Sequence, residues 1–194
     1  LELQPGCLLS EKELSDMLEI GRMPVREAIK KLELDHLLTV MPRRGIKVTE
    51  LRLEDIAQQM DVRAALERVI ARSAARKSTT AERKKFLQLA EAGEKATREK
   101  DYLESVRVDN EFNRFVSKCA RNIFASSAIA PLHALCRRLY YYQYSTDDKL
   151  TKSIDEAHYK LMRAIAAGEE DLSEKLSDEL MELVERLYKL KLEK

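Results

Sequence analysis

The chain has 194 residues, enough for one large domain or two small ones, and 44% of them are hydrophobic and 36% charged. Only five Gly and four Pro interrupt the sequence, which predicts a mostly helical protein. No apolar run approaches the roughly 18 residues needed to cross a bilayer, so no membrane partner is expected, and a net charge of +1 argues nothing by itself about nucleic acid.

The opening residues and the cysteines bear on cellular location. Residues 1–9 are short and carry no basic start, so no signal peptide is expected. The three cysteines, Cys7, Cys119 and Cys136, are widely spaced and lack the spacing of a metal site. They predict buried free thiols in a reducing compartment, and hence a cytoplasmic protein.

Positive charge is concentrated in one short segment. Residues 21–47 contain seven basic and three acidic side chains, a net charge of +4, whereas residues 1–20 carry −4. A focused positive surface of this kind is what a DNA-contacting segment requires.

Two short helices are predicted at the start of the chain. Ser10 and Glu13 form a capping-box pattern, which predicts a helix over 11–18. Pro24 suits the first position of a second helix that runs to about Asp35 with apolar side chains at helical spacing. Two short helices joined by a tight turn form a helix-turn-helix pattern.

A hairpin and a run of helices follow. Residues 38–41 and 46–48 are predicted strands on either side of a Pro-Arg-Arg-Gly turn, which makes the hairpin a wing. After a short junction near 49–52, six helices are predicted over 53–76, 80–99, 101–119, 122–144, 151–167 and 169–192. The predicted fold is mostly α, with a winged helix-turn-helix over 1–50 and an all-helical domain over 53–194.

The first fifty residues resemble the GntR family of repressors. The resemblance rests on Gly21-Arg-Met-Pro-Val-Arg-Glu-Ala28 and Pro42-Arg-Arg-Gly45, which are specific when they occur together. It implies that operator DNA is the partner. Because helix-turn-helix modules read paired half-sites, a homodimer is expected. The family also has a helix before the first one predicted here, and we expect that helix to be missing from this chain.

Six side chains are predicted to contact DNA. Arg22 and Arg26 lie four apart at the amino end of the second helix, where a major groove would be entered, and Arg can grip guanine or phosphate. The full set is Arg22, Met23, Arg26, Lys12, Arg43 and Arg44. The alternative is that these are ordinary solvated charges. The family usually has a hydroxyl residue at Met23 and Gly at His36, so the second helix is expected to lose its side-chain N-cap and to end on a non-Gly residue.

Polar residues interrupt the apolar stripes of three helices in the second domain. Arg63, Asp109, Asn113 and His158 all fall at inward positions. Because buried polar groups must be paired or must face a ligand, they predict a polar cavity inside a helical bundle. The alternative is a satisfied structural network, such as Arg63 with Asp109.

The second domain resembles the FCD effector domain of the FadR-type branch, over about 53–190. The motifs are Val62-Arg-Ala-Ala-Leu-Glu67, Asp109-Asn-Glu-Phe-Asn113 and Glu156-Ala-His158. In many members one Asp and three His bind a divalent metal, and the metal and an Arg hold a carboxylate effector. The resemblance therefore implies a small-molecule effector as a second partner.

The metal-ligand set implied by this resemblance is incomplete here. Asp109 and His158 match the Asp and one His, but Asn113 and Leu180 stand where two further His would be. Asn is a poor ligand for zinc-like metals and Leu is none, so we expect at most a weak site of Asp109, Asn113 and His158. His133 could stand in, but it lies off the apolar stripe of its helix.

These patterns favour a transcription regulator whose DNA binding is controlled by a small, anionic metabolite. Arg63 is expected to anchor the anion, with hydrogen bonds from Asn113 and His158 and with Asp109 orienting His158. One alternative is a helical ligand-binding or scaffold protein without DNA binding. The other is an all-helical metal enzyme, although the sequence has no HExxH pattern, phosphate loop or serine elbow, so no enzyme is expected.

Overall fold

A computed structural model describes residues 2–142 and 148–192, which form eight helices and three short strands. In chain order these are β1 Leu8–Leu9, α1 Glu11–Leu18, α2 Arg22–Leu34, β2 Leu38–Met41, β3 Gly45–Val48, α3 Leu53–Lys77, α4 Thr80–Glu99, α5 Tyr102–Cys119, α6 Ile123–Tyr142, α7 Asp148–Ala167 and α8 Glu170–Leu192. The mostly α fold with a small wing is confirmed. The predicted end of the fourth helix of the second domain, at 143–144, lies outside the described residues. In the described part of the chain, no helix combines the length and hydropathy needed to cross a membrane.

The capping pattern at the first helix forms as predicted. The Glu13 amide donates to the Ser10 hydroxyl at 3.1 Å, and the Ser10 amide donates to the Glu13 carboxylate at 2.6 Å.

The start of α2 differs from the prediction. Its N-cap is Gly21, so Pro24 is the third helical residue and Met23 lies inside the first turn. Pro24 remains tolerated because amides in the first turn have no intrahelical acceptor. The N-cap residue Gly21 has no side chain, so no side-chain hydrogen bond caps α2. The cap is therefore missing because of Gly21 and not because of Met23.

His36 occupies the left-handed position that follows α2. Its φ is +58°, and its amide donates to the Glu33 carbonyl at 3.0 Å while the Leu37 amide donates to the Leu32 carbonyl at 2.8 Å. These two bonds define a Schellman ending, in which Gly is favoured because it has no Cβ to clash. The predicted non-Gly helix end is therefore present, and it forces a side chain into a strained backbone region.

The wing contains one more strand than the sequence predicted. β1 pairs with β3 and β3 pairs with β2, all antiparallel, in the order β1-β3-β2. Ile46 lies opposite Leu9 on one side and Val40 on the other. Gly45 is required at the start of β3, because a Cβ there would lie 2.6 Å from the Leu9 carbonyl oxygen.

Two hydrophobic clusters hold the described residues together. The smaller one packs α1 and α2 onto the sheet through Leu14, Val25 and Ile29. In the larger one α3 packs against α5, α6, α7 and α8, while α4 packs against α5 and α7. Because six helices share this second core, inward polar residues of α3, α5, α6 and α7 are brought into one interior. The domain boundary near residues 49–52 stays a prediction.

Candidate functional site

The amino end of α2 exposes the side chains predicted to read DNA. Arg22, Met23 and Arg26 are all exposed, and Met23 retains 65% of its accessible surface. Lys12, at the start of α1, is exposed as well. An exposed helix N-terminus with two Arg side chains has the shape and charge to enter a major groove.

Arg26 is not free on this surface, because Glu11 of α1 holds it. Arg26 Nε donates to Glu11 Oε1 at 3.0 Å and Nη2 donates to Oε2 at 2.8 Å. The same paired bonds lower the pKa of Glu11 and raise the pKa of Arg26. This pairing could not be predicted from local sequence, since the two residues lie on different helices. DNA contact by Arg26 must therefore exchange one negative partner for another.

The wing tip exposes two further cations. Arg43 and Arg44 are both exposed in the turn between β2 and β3, and the Arg44 amide closes the turn on the Met41 carbonyl at 2.9 Å. Arg43 has a φ of +64°, a left-handed conformation that few residues adopt. The tight turn thus leaves both Arg side chains available for a nucleic-acid backbone or minor groove.

The four inward polar residues of the helical part, which comprises α3 to α8, line one cavity. Arg63 of α3, Asp109 and Asn113 of α5 and His158 of α7 surround a space of about 80 Å³. Val184, Leu187 and Tyr188 of α8 provide an apolar wall. A small cavity with an apolar wall and converging polar groups has the character of a ligand site.

Asp109 is held between His158 and Asn113. His158 Nε2 lies 3.0 Å from Asp109 Oδ1, and Asn113 Nδ2 donates to Asp109 Oδ2 at 3.1 Å. His158 Nδ1 lies 3.0 Å from the Ile154 carbonyl, so both ring nitrogens face acceptors. Burial disfavours the charged ring, but the Asp109 carboxylate outweighs it and raises the pKa of His158. Burial likewise opposes ionisation of Asp109, and the bond from His158 overcomes it and lowers the pKa of Asp109.

Arg63 is paired with Glu67, not with Asp109 as the alternative network supposed. Arg63 Nε donates to Glu67 Oε1 at 3.2 Å, and His133 Nε2 lies 2.8 Å from the same oxygen. Burial opposes ionisation of Glu67, yet the bonds from His133 and Arg63 lower its pKa to about 2. Within the described residues, Arg63 forms no hydrogen bond through its terminal nitrogens, and it lines the cavity.

Sequence reasoning missed Glu67 and misplaced His133. The sequence pattern puts His133 off the apolar stripe of its helix, but His133 is only 8% exposed and lies on the same buried face as Ala125 and Ile129. Glu67 of the neighbouring helix α3 supplies a buried acceptor for its ring. The spacing of Arg63 and Glu67, i and i+4 on one helix, is the signal that could have found the pair. Cys136 of α6 and Tyr188 of α8 were also missed, and burial raises the pKa of Tyr188 well above its usual value.

Comparison with known proteins decides the family. The model of the FCD domain matches residues 58–183, more than half of the chain, and the model of the gntR family of bacterial regulatory proteins matches residues 1–48. This chain belongs to the GntR family and carries an FCD domain.

Two bacterial transcription regulators are similar to part of this GntR-family chain. The HTH-type transcriptional repressor RspR of Escherichia coli K12 is 30% identical over 139 residues, 72% of this chain and 61% of that protein. The chain therefore spans about three fifths of the length of this relative. The Nta operon transcriptional regulator of Aminobacter aminovorans is 29% identical over 57% of this chain and 52% of its own length.

Solved structures share the fold of this GntR-family chain. E. coli McbR/YncC superposes with a TM-score of 0.82 at 21% identity, covering 97% of this chain and 90% of that one. Streptococcus agalactiae GntR gives a TM-score of 0.58 at 21% identity, covering 96% and 92%. These likenesses extend over both the winged part and the helical part.

The metal site implied by the FCD resemblance does not fit the residues present. Both ring nitrogens of His158 already face acceptors, and the Asp109 carboxylate is engaged by His158 and Asn113. Leu180 is buried and has no donor atom. The described side chains contain no group of three or more His, Cys, Asp or Glu arranged to hold a metal. Weak binding of a metal by Asp109, Asn113 and His158 stays a prediction.

Proposed function

We propose that this protein is a DNA-binding transcription regulator controlled by a small anionic metabolite that binds in the cavity between α3, α5, α6, α7 and α8. The observation that carries the proposal is the convergence of Arg63, Asp109, Asn113 and His158 on one cavity in the helical part. The winged part supplies the DNA-reading surface through the amino end of α2 and the wing tip.

The DNA contact follows from exposed Arg side chains on two elements. Arg22 forms no ion pair within the described residues, so its guanidinium is available for guanine or phosphate. Arg26 is held in an extended position by Glu11 and can exchange that carboxylate for a phosphate or a base edge. Arg43 and Arg44 add contacts at the wing. Such a module reads one half-site, so two copies are proposed to bind a two-fold operator.

The effector contact follows from the donors that open into the cavity. The terminal nitrogens of Arg63 are the strongest donors there for a carboxylate, and Asn113 lies on the facing helix α5. Both nitrogens of the His158 ring face protein acceptors, Asp109 and the Ile154 carbonyl, so the ring is a fixed part of the cavity wall and not a donor to the effector. The apolar wall of α8 would receive the carbon chain of the effector.

Helix α6 connects the two sites. Its residues His133, Cys136 and Arg137 line the cavity, and the next residue, Arg138, contacts the end of the winged part. A ligand that shifts α6 would therefore change the position of the DNA-reading helix. Ligand control requires that the effector bind more tightly to one position of α6 than to another.

The test uses DNA selected from a random duplex library by the wild-type protein. Selected duplexes should bind in a fluorescence anisotropy titration, and a panel of small carboxylates should change that affinity. Arg63→Gln should abolish the carboxylate effect and leave DNA binding in place, because Arg63 lies in the helical part. Failure to select any duplex would support a scaffold role instead. A carboxylate effect that persists in Arg63→Gln would move the effector site elsewhere.

A further inference from the structure

We propose that the effector cavity continues into a groove between α5 and α6 that binds a second anionic group, so that the effector is a short dianion, a dicarboxylate or a phosphorylated acid. The inference rests on the proposed function, since it names the ligand class of the same site. The groove has a volume of about 760 Å³ and shares Asn110, Asn113, His133 and Arg137 with the cavity. One ligand could therefore occupy both spaces.

Most charged side chains that line the cavity have a partner. Arg63 is balanced by Glu67, and His158 is balanced by Asp109. The remaining acid, Asp155, accepts a hydrogen bond from the Thr97 hydroxyl at 3.0 Å, and burial raises the pKa of its carboxyl. Arg137 lines both the cavity and the groove, and no carboxylate of the described residues lies in ion-pair contact with it. A half-buried guanidinium that lines both spaces and has no carboxylate partner among the described residues favours an anion beside it.

The groove is positively charged along its described lining. Its charged residues are Arg114, Lys118 and Arg137, and the residues that line it include no Asp or Glu. The hydroxyl of Ser117, another lining residue, is buried without a hydrogen-bond partner in the described part of the structure. Cations concentrated in a concave surface focus the potential there and favour the binding of an anion.

The length of the ligand follows from the spacing along α6. His133 contacts Glu67 beside Arg63, and Arg137 lies four residues further along the same face. Residues four apart on a helix are separated by about 6 Å at Cβ. Two anionic groups joined by a few carbon atoms span that distance, whereas a monocarboxylate fills only one end.

Isothermal titration calorimetry on the full chain can test this with matched anion pairs. The pairs are butyrate with succinate and pentanoate with glutarate, and inorganic phosphate is titrated alone to detect a phosphoryl preference of the groove. In wild-type protein each dianion should bind about tenfold more tightly, or better, than its monoanion partner. Arg137→Gln should remove that preference, and Arg137→Lys should keep part of it because the charge remains. Arg186→Gln, an exposed residue of α8 that lines neither space, is the matched control and should keep it fully.

The outcomes separate this inference from the proposed function. Equal affinities within each pair, no binding of either member, or a dianion preference that survives in Arg137→Gln would each overturn the second subsite. If the second subsite is overturned but Arg63→Gln still abolishes monoanion binding, the proposed effector site stands. Loss of phosphate binding in Arg137→Gln supports a phosphorylated acid. Tight succinate or glutarate binding without phosphate binding supports a dicarboxylate.

Discussion

Arg138 of α6 closes the junction between the two parts of the chain on Thr49. Its Nη1 donates to the Thr49 hydroxyl at 2.6 Å and also approaches the Leu37 carbonyl at 3.5 Å, and its Nη2 donates to the Thr49 carbonyl. The Thr49 hydroxyl in turn donates towards the carbonyls of His36 and Leu37, at 2.9 and 3.1 Å. The guanidinium of Arg138 therefore binds, directly or through the Thr49 hydroxyl, to the backbone that follows α2 and to the backbone that follows the wing. Burial at this junction lowers the pKa of Arg138, and no acid of the described residues forms an ion pair with it.

Replacing Arg138 should loosen this junction. Arg138→Met keeps the stem and removes three donor contacts, so the free energy of unfolding should fall by about 1–3 kcal/mol. Urea unfolding followed by circular dichroism measures the change. Arg186→Met is the control, since an exposed residue away from the junction should change stability by less than about 0.5 kcal/mol. An Arg138→Met protein as stable as the control would show that the carbonyls are equally well satisfied by water.

His36→Gly should stabilise the protein. The left-handed backbone at His36 costs a residue with a Cβ about 1 kcal/mol, and Gly relieves that cost, partly offset by the greater freedom of Gly in the unfolded chain. The expected gain is about 0.5–1 kcal/mol in thermal or urea unfolding. His36→Ala keeps the Cβ and should give no gain, so equal stabilisation by both variants would contradict the backbone explanation.

The pairing of Glu11 with Arg26 predicts opposite effects of two substitutions on DNA binding. Arg26→Ala should weaken binding to selected duplexes roughly ten- to hundredfold if the side chain contacts a base. Glu11→Gln should tighten binding, because Arg26 no longer has to leave a carboxylate and a negative charge near the phosphates is removed. Anisotropy titrations at several salt concentrations give both affinity and salt slope. Weaker DNA binding by Glu11→Gln would mean that Glu11 serves mainly to position Arg26.

Glu67 should contribute to the loss of stability at acid pH. Its pKa is lowered to about 2 from an ordinary value near 4.5, so its contribution is fully present above about pH 4.5 and is lost as the pH falls towards 2. Glu67→Gln leaves Arg63 and His133 without their carboxylate and should cost about 3 kcal/mol at pH 7. The free energy of unfolding of the Glu67→Gln variant should therefore fall less steeply than that of wild type between pH 4.5 and 2. Glu179→Gln, exposed on α8, should leave the wild-type slope unchanged.

Local patterns predicted the elements of this fold better than the contacts between them. The capping box at Ser10 and the apolar periods of the helices depend on residues near in sequence, so α1 and the six later helices could be placed. β1 has only two residues, too few to show an alternating pattern, and its partner lies near Lys47. The inward positions of Arg63, Asp109, Asn113 and His158 followed from helical spacing alone. Their partners did not, because Glu67 with His133 and Thr49 with Arg138 are joined only by helix packing.

The last prediction concerns the metal that many FCD domains hold. Protein purified without added metal should contain well under one equivalent of zinc or nickel by elemental analysis. The physical reason is that Asp109 and His158 satisfy each other, Asn113 is a poor ligand, and the buried Leu180 supplies no donor. The double substitution Asn113→His with Leu180→His should raise zinc affinity strongly, since it restores the set of one Asp and three His. Asn113→His alone is the control and should give a smaller gain, because one ligand is still missing. Stoichiometric metal in the unmodified protein, lost on Asp109→Ala or His158→Ala, would show that two matching ligands suffice in this cavity.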